Sequence, residues 1–393
     1  MANRQHSFMS RRDFLTGTAA SAVVVLGSRL RTPQVLAQSA RRPLPPVKVS
    51  RDRVIREIVG LRPFRSEGYV VEAQRVGAKL LIHNYGHGGA GITLSWGTAQ
   101  EAVELAREPI ASSPVPRRAA RTVAARRFAV LGCGVNGLST AILLQRYFSD
   151  GTPNVTIYAR DLPPNTTSNI AGGYWSPTSS YDSDAVTAEF PARFKAAARI
   201  SNRAFQSLVG TEYGVRWIDI FELIRNEVSL QRELPGGNDL YPQRIVHRDP
   251  VNYFGFPYVR QFSSMLIEPA IYLRALLRDF YSAGGKIVVK EFKSRDEILR
   301  LRENVIFNCT GLGARALFDD QKLIPARGQL EILLPQPEID YCYLGPGYMF
   351  PRSDGIVLGG TFDRDDWSLE VDRAQAESIL NSHAEIMKKV PSP

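Results

Sequence analysis

The stretch that decides the fold is FAVLGCGVNGLSTAI, residues 128–142. A short apolar run over residues 128–131 is followed at once by Gly-x-Gly-x-x-Gly and then by a helical apolar pattern. In a nucleotide-binding βαβ unit, Gly132 would permit the tight turn, Gly134 would let the backbone approach a pyrophosphate, and Gly137 would let the helix pack on the strand. The phosphates then lie at the helix N-terminus, near its free backbone N–H groups. The motif therefore predicts a bound dinucleotide.

A second strand supports this interpretation. Val155 to Ala159 is largely apolar and ends about twenty residues past the last glycine, where the acid that binds a ribose hydroxyl belongs. Asp161 is the nearest acid, and Arg160 precedes it. An arginine here would suit the 2′-phosphate of a nicotinamide cofactor, so a nicotinamide enzyme stays an alternative. A turn that binds no nucleotide is the other alternative.

A second glycine-rich segment lies between a short strand, residues 80–82, and a helix predicted over residues 98–107. Backbone N–H groups near a helix N-terminus stabilise negative charge, and a reduced isoalloxazine carries such charge at N1 and the C2 carbonyl. Two glycine-rich loops that enter helices indicate a long cofactor held at both ends, which favours FAD over NAD. A turn that only reverses the chain is the alternative.

The first 37 residues are interpreted as a targeting segment. Arg11 and Arg12 precede a moderately apolar stretch, Thr16 to Leu26, and small residues up to Ala37 offer a cleavage site. The pattern resembles the twin-arginine export signal of bacteria, whose substrates cross the membrane folded. It predicts a periplasmic or secreted protein, cleaved near Ala37, with the export machinery as a partner. The apolar stretch is shorter than the about 20 residues that span a bilayer, so no stable membrane anchor is expected.

The positive charge of the chain gives no support for nucleic-acid binding. The net charge is +10, but the targeting segment holds five arginines and one aspartate, so the remainder carries +6. Residues 109–127 add five arginines and no acid, and are interpreted as a basic linker. The basic linker holds no aromatic residue between its arginines. Three cysteines and five histidines are scattered without metal-ligand spacing, so no metal site is expected.

Several motifs resemble the D-amino-acid oxidase family of FAD-dependent oxidoreductases. They are LRPFR (61–65), IHNYGHGGAGITLSW (82–96), the segment 128–175 that ends in AGGYW, residues 268–284, NCTG (308–311) and VLGGTF (357–362). The resemblance implies an α/β fold with a Rossmann-like βαβ domain that binds FAD, and an α+β substrate domain with a mixed sheet. It covers nearly all of the chain after the targeting segment.

The order of these motifs is rotated relative to the family. Residues 51–108 correspond to the part that closes the chain in the family, which implies a circular permutation with residues 109–127 joining the original ends. Permutation is tolerated when old and new ends lie in surface loops. The expected division is an export signal (1–37), an exposed linker (38–50), a permuted segment with flavin and substrate contacts (51–108), a basic linker (109–127), flavin-binding parts (128–185 and 263–320), and substrate-domain parts (186–262 and 321–393), with a terminal helix.

The chemistry of amino-acid oxidation limits what the protein must supply. The substrate α-hydrogen must lie over flavin N5, and a strong protein base is not required, because the amine lone pair can assist hydride departure. A cation must hold the carboxylate, and arginine does so with two parallel hydrogen bonds. The resemblance gives this role to Arg62, for which a structural salt bridge is the alternative.

The resemblance also implies a tyrosine beside this arginine. Tyr258, or else Tyr253, is the expected partner, in a loop over residues 252–262 where the family has an active-site lid. Simple aromatic packing of Tyr258 is the alternative. The carbonyl of Gly89 is expected to accept the substrate ammonium, and Ser176 is a further expected substrate contact.

The remaining expected contacts are with the cofactor and follow from the resemblance. They are Gly132, Gly134, Val135, Asn136, Gly137 and Leu138 at the pyrophosphate, Arg160 and Asp161 at the adenosine ribose, Thr166, Thr167 and Ser168 at the phosphates and flavin edge, Gly172, Gly173 and Tyr174 at the ring, Gly88, Gly89, Ala90, Gly91, Ile92 and Thr93 at the pyrimidine end, and Phe292. The family has an acid where Arg160 stands, so the resemblance implies that Arg160 and Asp161 are exchanged here.

The function implied by the resemblance is oxidative deamination of D-amino acids. Hydride transfer from Cα to flavin N5 would lead to a 2-oxo acid and ammonia, with oxygen reoxidising the flavin to give hydrogen peroxide. A dehydrogenase of glycine, sarcosine or D-amino acids that uses another electron acceptor is one alternative. A flavoprotein without catalytic activity is the other. The sequence leaves the side-chain specificity and the oligomeric state open.

Overall fold

The computed structural model describes residues 44–111, 127–148, 154–248 and 254–391. The strands are β1 (Val54–Phe64), β2 (Val70–Val76), β3 (Lys79–Tyr85), β4 (Arg127–Leu131), β5 (Asn154–Ala159), β6 (Val215–Ile224), β7 (Ile245–Arg248), β8 (Tyr258–Ile267), β9 (Lys286–Val289), β10 (Val305–Asn308), β11 (Ile324–Leu333), β12 (Tyr341–Leu344), β13 (Tyr348–Arg352), β14 (Gly355–Gly359) and β15 (Asp363–Arg364). The export signal expected over 1–37 and Tyr253 lie outside the described residues, as does most of the basic linker.

The α-helices connect and cover these strands. They are α1 (Gly91–Ala111), α2 (Val135–Tyr147), α3 (Thr167–Ile170), α4 (Phe190–Gln206), α5 (Glu227–Gln231), α6 (Pro269–Ser282), α7 (Arg295–Leu299), α8 (Gly313–Phe318) and α9 (Arg373–Met387). In this part of the chain, no helix is both long and apolar enough to cross a membrane.

One sheet, here called the nucleotide sheet, has the strand order β2-β3-β10-β4-β5-β9. Its strands from β3 to β9 are parallel neighbours, and β2 adds an antiparallel edge. Residues 128–131 of β4 are fully buried because helices pack on this sheet and leave no face of its central strands in water. The sequence between β4 and β5 forms α2, so the βαβ unit expected around residues 128–142 is present.

The other sheet, here called the substrate sheet, has the order β1-β11-β14-β13-β12-β6-β8-β7, with β15 also paired to β11. Most neighbours are antiparallel, but β12 and β6 run parallel, so the sheet is mixed. Residues 51–108 contribute to both sheets, since β1 pairs with β11 while β3 pairs with β10.

Two expectations about local structure need correction. Strand β8 begins at Tyr258, so the loop expected over 252–262 is a strand in its second half, and β8 crosses the expected boundary after residue 262. Helix α1 begins at Gly91 rather than at residue 98, because the glycine cluster turns directly into it.

The segment expected as an exposed linker is also partly buried. Leu44 and Val47 lie in one hydrophobic core with α9, and the Val47 N–H donates to the Met387 sulfur at 3.2 Å. The Tyr341 hydroxyl donates to the Pro45 carbonyl at 2.9 Å. This segment is buried because its apolar side chains cover α9 and the adjacent face of the substrate sheet. Residues 44–50 therefore lie beside the helix formed by residues 373–387.

Candidate active site

Both glycine-rich loops lie at one edge of the nucleotide sheet. Strands β3, β10, β4 and β5 are parallel neighbours, so their carboxyl ends meet at the same edge. The loop after β3 forms a 3-10 turn at Gly88–Ala90 and enters α1, and the loop after β4 enters α2. The described first turns of α1 and α2 hold no acidic residue. The positive ends of two helices are thus available to an anionic ligand.

The loop after β4 has the shape that a pyrophosphate requires. Gly132 has φ +101°, and a Cβ atom there would lie 2.5 Å from the Cys309 carbonyl oxygen. A Cβ atom at Gly137 would collide with the Gly132 carbonyl. At Gly134 the nearest atom to such a Cβ would be the Ser168 Oγ, at 3.1 Å. Two glycines are therefore needed for packing, while Gly134 leaves room for a ligand.

Hydroxyl and amide groups surround the start of α2. The Val135 N–H donates to the Ser168 Oγ at 3.0 Å, and the Thr166 Oγ donates to Asn169 at 2.8 Å. The Asn136 Oδ1 is buried and has no hydrogen-bond partner within the described residues. A buried acceptor without a partner suits a ligand that carries hydroxyl groups, as a dinucleotide does. The structure thus brings the expected residues 166–168 to the loop at residues 132–137.

His87 joins the two glycine-rich loops, a contact that the sequence did not indicate. The Asn136 side-chain amide donates to His87 Nδ1 at 3.2 Å, and His87 Nε2–H donates to the Thr98 Oγ at 3.1 Å. Burial lowers the pKa of His87 to about 3, so the ring is neutral at physiological pH. A neutral imidazole can accept one of these bonds and donate the other. His87 therefore fixes the start of α2 relative to α1.

Arg160 and Asp161 follow β5 at the same edge of the sheet. The Arg160 guanidinium contacts the Asp161 carboxylate at 2.7 Å and lies 3.7 Å from Glu291. The charge of Arg160 is thus matched by two carboxylates, which makes it a poor binding site for a 2′-phosphate. Phe292, the expected contact farthest along the chain, is largely buried and packs against Tyr158 at 5.9 Å. Much of its ring therefore belongs to the core.

Residues 172–176 run between the two sheets. The Ile267 N–H donates to the Gly173 carbonyl at 2.6 Å, and the Trp175 N–H donates to the Met265 carbonyl at 2.8 Å, so the segment continues along β8. Ser176 exchanges backbone hydrogen bonds with the Thr93 Oγ, both at 3.2 Å. Its own hydroxyl is buried and lies 3.3 Å from the Tyr241 hydroxyl. These hydrogen bonds hold the segment against the start of α1, where a residue that contacts the flavin ring is expected.

The second glycine cluster is covered by the chain after Ser176. The Gly89 N–H donates to the Ser179 carbonyl at 2.9 Å, and a Cβ atom at Gly88 would lie 2.5 Å from the same oxygen. Gly88 has φ +55° and Ser179 has φ 54°. A serine in the left-handed region is uncommon, and such strained residues concentrate at functional sites.

Arg62 lies on β1, and its side chain contacts residues 361 and 362. Its Nη1 donates to the carbonyl oxygens of Thr361, at 3.1 Å, and Ala326, at 3.5 Å. Its guanidinium carbon lies 5.6 Å from the centre of the Phe362 ring. Among the described residues, no carboxylate lies within 4.0 Å of it, although most arginines near the site have one. The expected alternative, a structural salt bridge, is absent from the described residues, and a positive charge is left for a ligand.

Tyr258 does not lie beside Arg62. It is the first residue of β8, and five strands separate β8 from β1 in the substrate sheet. Its ring packs instead under the guanidinium of Arg248, at 5.1 Å. The pairing of β8 with both β6 and β7 holds Tyr258 on that side of the sheet. The expected clamp of Arg62 with Tyr258 is therefore not formed.

Tyr348, which the sequence did not single out, packs next to the segment that Arg62 contacts. It begins β13, and its ring packs so closely on Gly359 and Gly360 that a Cβ atom at position 360 would lie 2.6 Å from the tyrosine hydroxyl. The next residue, Thr361, receives the hydrogen bond from Arg62. The ring of Tyr348 stacks on Phe350 at 4.8 Å. Tyr348 and Arg62 thus contact one short segment, with an aromatic wall beside them.

Comparison with known proteins decides the family. The model of a family described as FAD-dependent oxidoreductase matches residues 13–105 and 127–392. The chain is an FAD-dependent oxidoreductase. The open side of Gly134, the two helix N-termini and the free acceptor of Asn136 fit this cofactor. The expected cofactor, FAD, is therefore confirmed, and the nicotinamide alternative is not supported.

Relatives with assigned names are amino-acid oxidases. The chain is 30% identical over 263 residues to a D-amino acid oxidase of Dugesia ryukyuensis, covering 64% of this chain and 75% of that protein. It is 33% identical over 265 residues to a D-amino-acid oxidase of Rubrobacter xylanophilus, covering 65% and 75%. It is 29% identical over 260 residues to a D-aspartate oxidase of Homo sapiens, covering 65% and 74%.

Solved structures show the same fold at lower sequence identity. The L-proline dehydrogenase from P. horikoshii superposes with a TM-score of 0.51 at 13% identity, covering 67% of this chain and 77% of that one. The glycine oxidase from Geobacillus kaustophilus superposes with a TM-score of 0.50 at 14% identity, covering 67% and 79%. The fold is thus shared by a protein named L-proline dehydrogenase and by one named glycine oxidase.

Proposed function

We propose that this flavoenzyme oxidises D-amino acids to imino acids, which water hydrolyses to 2-oxo acids and ammonia. The observation that carries the proposal is Arg62, whose charge has no carboxylate partner among the described residues and which donates to the carbonyl of Thr361, next to the glycines on which Tyr348 packs. The relatives that are D-amino-acid oxidases support this choice of substrate. Each turnover removes two electrons and two hydrogens from the Cα–N unit, and oxygen receives them to give hydrogen peroxide.

The residues of this chain would orient the substrate. Arg62 would bind the substrate carboxylate with two parallel hydrogen bonds, and the Tyr348 hydroxyl would donate a third. The Gly89 carbonyl would accept the ammonium, and the aromatic rings of Tyr174, Tyr348 and Phe350 would exclude water from the reacting carbon. FAD, when bound, supplies the oxidation by accepting a hydride at N5. No general base from the protein is needed, and His87 is unsuited to be one because both ring nitrogens are engaged.

The reaction is tested with the purified full chain and its flavin absorbance. A panel of D- and L-amino acids, with glycine and sarcosine, is added without oxygen. Bleaching by D-enantiomers is expected, and readmitted oxygen should restore the spectrum while peroxide accumulates. A reduced flavin that oxygen does not reoxidise, but a quinone or dye does, would make the enzyme a dehydrogenase. Bleaching by L-enantiomers, or by no amino acid, would contradict the proposal.

We also infer that the chain is circularly permuted relative to its relatives. The contact of residues 44–50 with α9, and the pairing of β3 with β10, are compatible with such an order. The pairwise matches cover about two thirds of this chain but about three quarters of the relatives, which is consistent with one displaced segment. A gene that places residues 51–108 after residue 391 should give a protein with the same flavin content and turnover. Loss of folding in several such joints would argue against a permuted order.

The export of the chain is a separate proposal that depends on residues 1–37. Replacement of Arg11 and Arg12 by lysine should leave the protein in the cytoplasm, because twin-arginine machinery depends on this pair. Mass spectrometry of the periplasmic protein should give an N-terminus close to residue 38. An uncleaved N-terminus at Met1 in that fraction would contradict the proposal.

A further inference from the structure

A second arginine lies near Arg62 on the same face of the substrate sheet. Arg62 of β1 pairs with Ala326 of β11, and Ala326 pairs in turn with Arg364 of β15. Residues directly opposite each other on neighbouring strands point to the same face. The two arginines are therefore separated by two strand spacings, about 10 Å between their Cα atoms. A substrate held at Arg62 lies within reach of both.

The two guanidinium groups contact the same aromatic rings. The guanidinium carbon of Arg62 lies 5.6 Å from the centre of Phe362, and that of Arg364 lies 5.7 Å from it. Arg364 also lies 4.6 Å from the centre of Phe64. The Arg364 side chain is 46% exposed, so it is open to solvent and to a bound molecule. The space next to Arg62 is thus bordered by two phenyl rings and a second cation.

The charge of Arg364 is already matched by a carboxylate. Its Nη1 and Nη2 donate to the two oxygens of Asp182, at 2.8 and 2.6 Å. Asp182 is fixed by its own N–H, which donates to the Ser66 carbonyl at 2.9 Å. Asp184 adds further negative charge to the surroundings of Arg364. A second carboxylate from a substrate would have to displace Asp182 or approach a pair without net charge.

A third arginine on this sheet, Arg260 of β8, is also paired. Arg260 is buried, its Nε donates to Glu222 at 2.7 Å, and its Nη1 donates to the Arg232 carbonyl at 2.8 Å. Of Arg62, Arg260 and Arg364, Arg62 is therefore the one without a carboxylate partner among the described residues. One substrate carboxylate can be matched here, and a second cannot.

We infer that Asp182 determines substrate specificity by neutralising Arg364, which restricts the site to amino acids with an uncharged side chain. This inference rests on the proposed function. The phenyl rings of Phe64 and Phe362 suit an apolar or amide side chain, whereas a side-chain carboxylate would meet the Asp182 carboxylate. Removal of the negative charge of Asp182 would turn Arg364 into a second carboxylate-binding group.

The test compares D-asparagine with D-aspartate, which have nearly the same shape and differ in charge. Wild type should prefer D-asparagine in kcat/KM. Asp182→Asn should shift the ratio toward D-aspartate by about tenfold, the effect of one new charge-assisted contact. Arg364→Gln should shift the ratio the opposite way, because Asp182 is then unpaired and repels the substrate. The double variant should lose the gain for D-aspartate that Asp182→Asn shows.

Controls separate this inference from the proposed reaction. Asp239→Asn breaks a similar exposed pair, Asp239 with Arg199, and should leave the ratio unchanged. Flavin content reports folding, and Arg364→Gln keeps the inference testable if Asp182→Asn does not fold. Unchanged ratios in both single variants, with D-asparagine still oxidised, would overturn the role of Asp182 and leave the reaction standing. Failure of every amino acid to reduce the flavin would instead overturn the reaction.

Discussion

The guanidinium of Arg62 lies directly against Gly328, so that a Cβ atom at position 328 would collide with it. Gly328 is opposite Gly60 in the pairing of β11 with β1, two positions from the pair of Ala326 with Arg62. The absence of a side chain therefore creates the space for the guanidinium of Arg62, the cation that we propose binds the substrate. Gly328 acts through Arg62 and is a positioning residue.

Gly328→Ala should raise KM for a D-amino acid by about tenfold, because a displaced Arg62 loses one of its charge-assisted hydrogen bonds to the carboxylate. The atoms that must move are the flexible end of an arginine, so flavin content should be unchanged. Gly77→Ala is the matched control, since Gly77 has φ +58° and nothing within 4 Å of an added Cβ. It should cost some stability without a change in KM. A normal KM in Gly328→Ala would show that Arg62 does not bind the carboxylate from its present position.

Arg62→Lys tests the geometry of the carboxylate contact rather than its charge. Lysine keeps the positive charge but cannot form two parallel hydrogen bonds with a carboxylate. Loss of a charge-assisted hydrogen bond costs about 2 kcal/mol, so kcat/KM should fall about 30-fold. Arg56→Lys, on the same strand and paired with Asp354, should have no effect. Equal losses in both variants would point to strand stability as the cause.

The sequence predicted the cofactor loops because each is a continuous stretch of chain. The apolar run at residues 128–131 and Gly132, Gly134 and Gly137 are local features, and their geometry depends mainly on neighbours in sequence. Arg62 was predicted from the resemblance of the stretch LRPFR to a family motif, and its contact with substrate stays a prediction. Strand–turn–helix units can therefore be predicted from the sequence with little knowledge of the tertiary structure.

Contacts that depend on sheet order were not predictable in this way. Tyr348 and Arg62 contact the same segment, residues 359–361, because β13 and β1 lie in one sheet with only β14 and β11 between them, and these strands are distant in sequence. His87 contacts Asn136 because the strands that precede these residues, β3 and β4, have only β10 between them in the sheet. The sequence offered Tyr258 instead, since it precedes α6 in a segment with glycine and aromatic residues. In the structure, the pairing of β8 with β6 places Tyr258 far from Arg62 in the sheet.

Tyr348→Phe and Tyr258→Phe decide which tyrosine assists Arg62. Tyr348→Phe keeps the ring that stacks on Phe350 and removes only the hydroxyl, so the fold and flavin content should be retained. KM should rise about tenfold through loss of one hydrogen bond to a charged carboxylate. Tyr258→Phe should behave as wild type. The reverse result would restore Tyr258 as the partner of Arg62 and contradict the sheet order on which Tyr348 was chosen.

The buried imidazole of His87 should make the protein sensitive to acid. Burial lowers its pKa to about 3 in the folded state, against about 6.5 in the unfolded chain. Below pH 6.5 the unfolded chain binds a proton at this residue and the folded protein does not. The stability that neutral His87 contributes is therefore complete above about pH 6.5 and falls as the pH approaches 3. Between pH 7 and pH 5 the loss should be about 2 kcal/mol in the free energy of unfolding.

Urea unfolding of the wild type and of His87→Gln at pH 7 and pH 5 measures this contribution. Glutamine can accept from Asn136 and donate to Thr98 but does not titrate, so the variant should lose less stability between the two pH values. His83 and His383 contribute in the same direction, because burial lowers the pKa of each to about 4, and they remain in both proteins. The comparison therefore isolates His87. Equal pH dependence of wild type and His87→Gln would mean that the His87 ring is protonated in the folded protein. It could then not accept the hydrogen bond from Asn136 that joins the two cofactor loops.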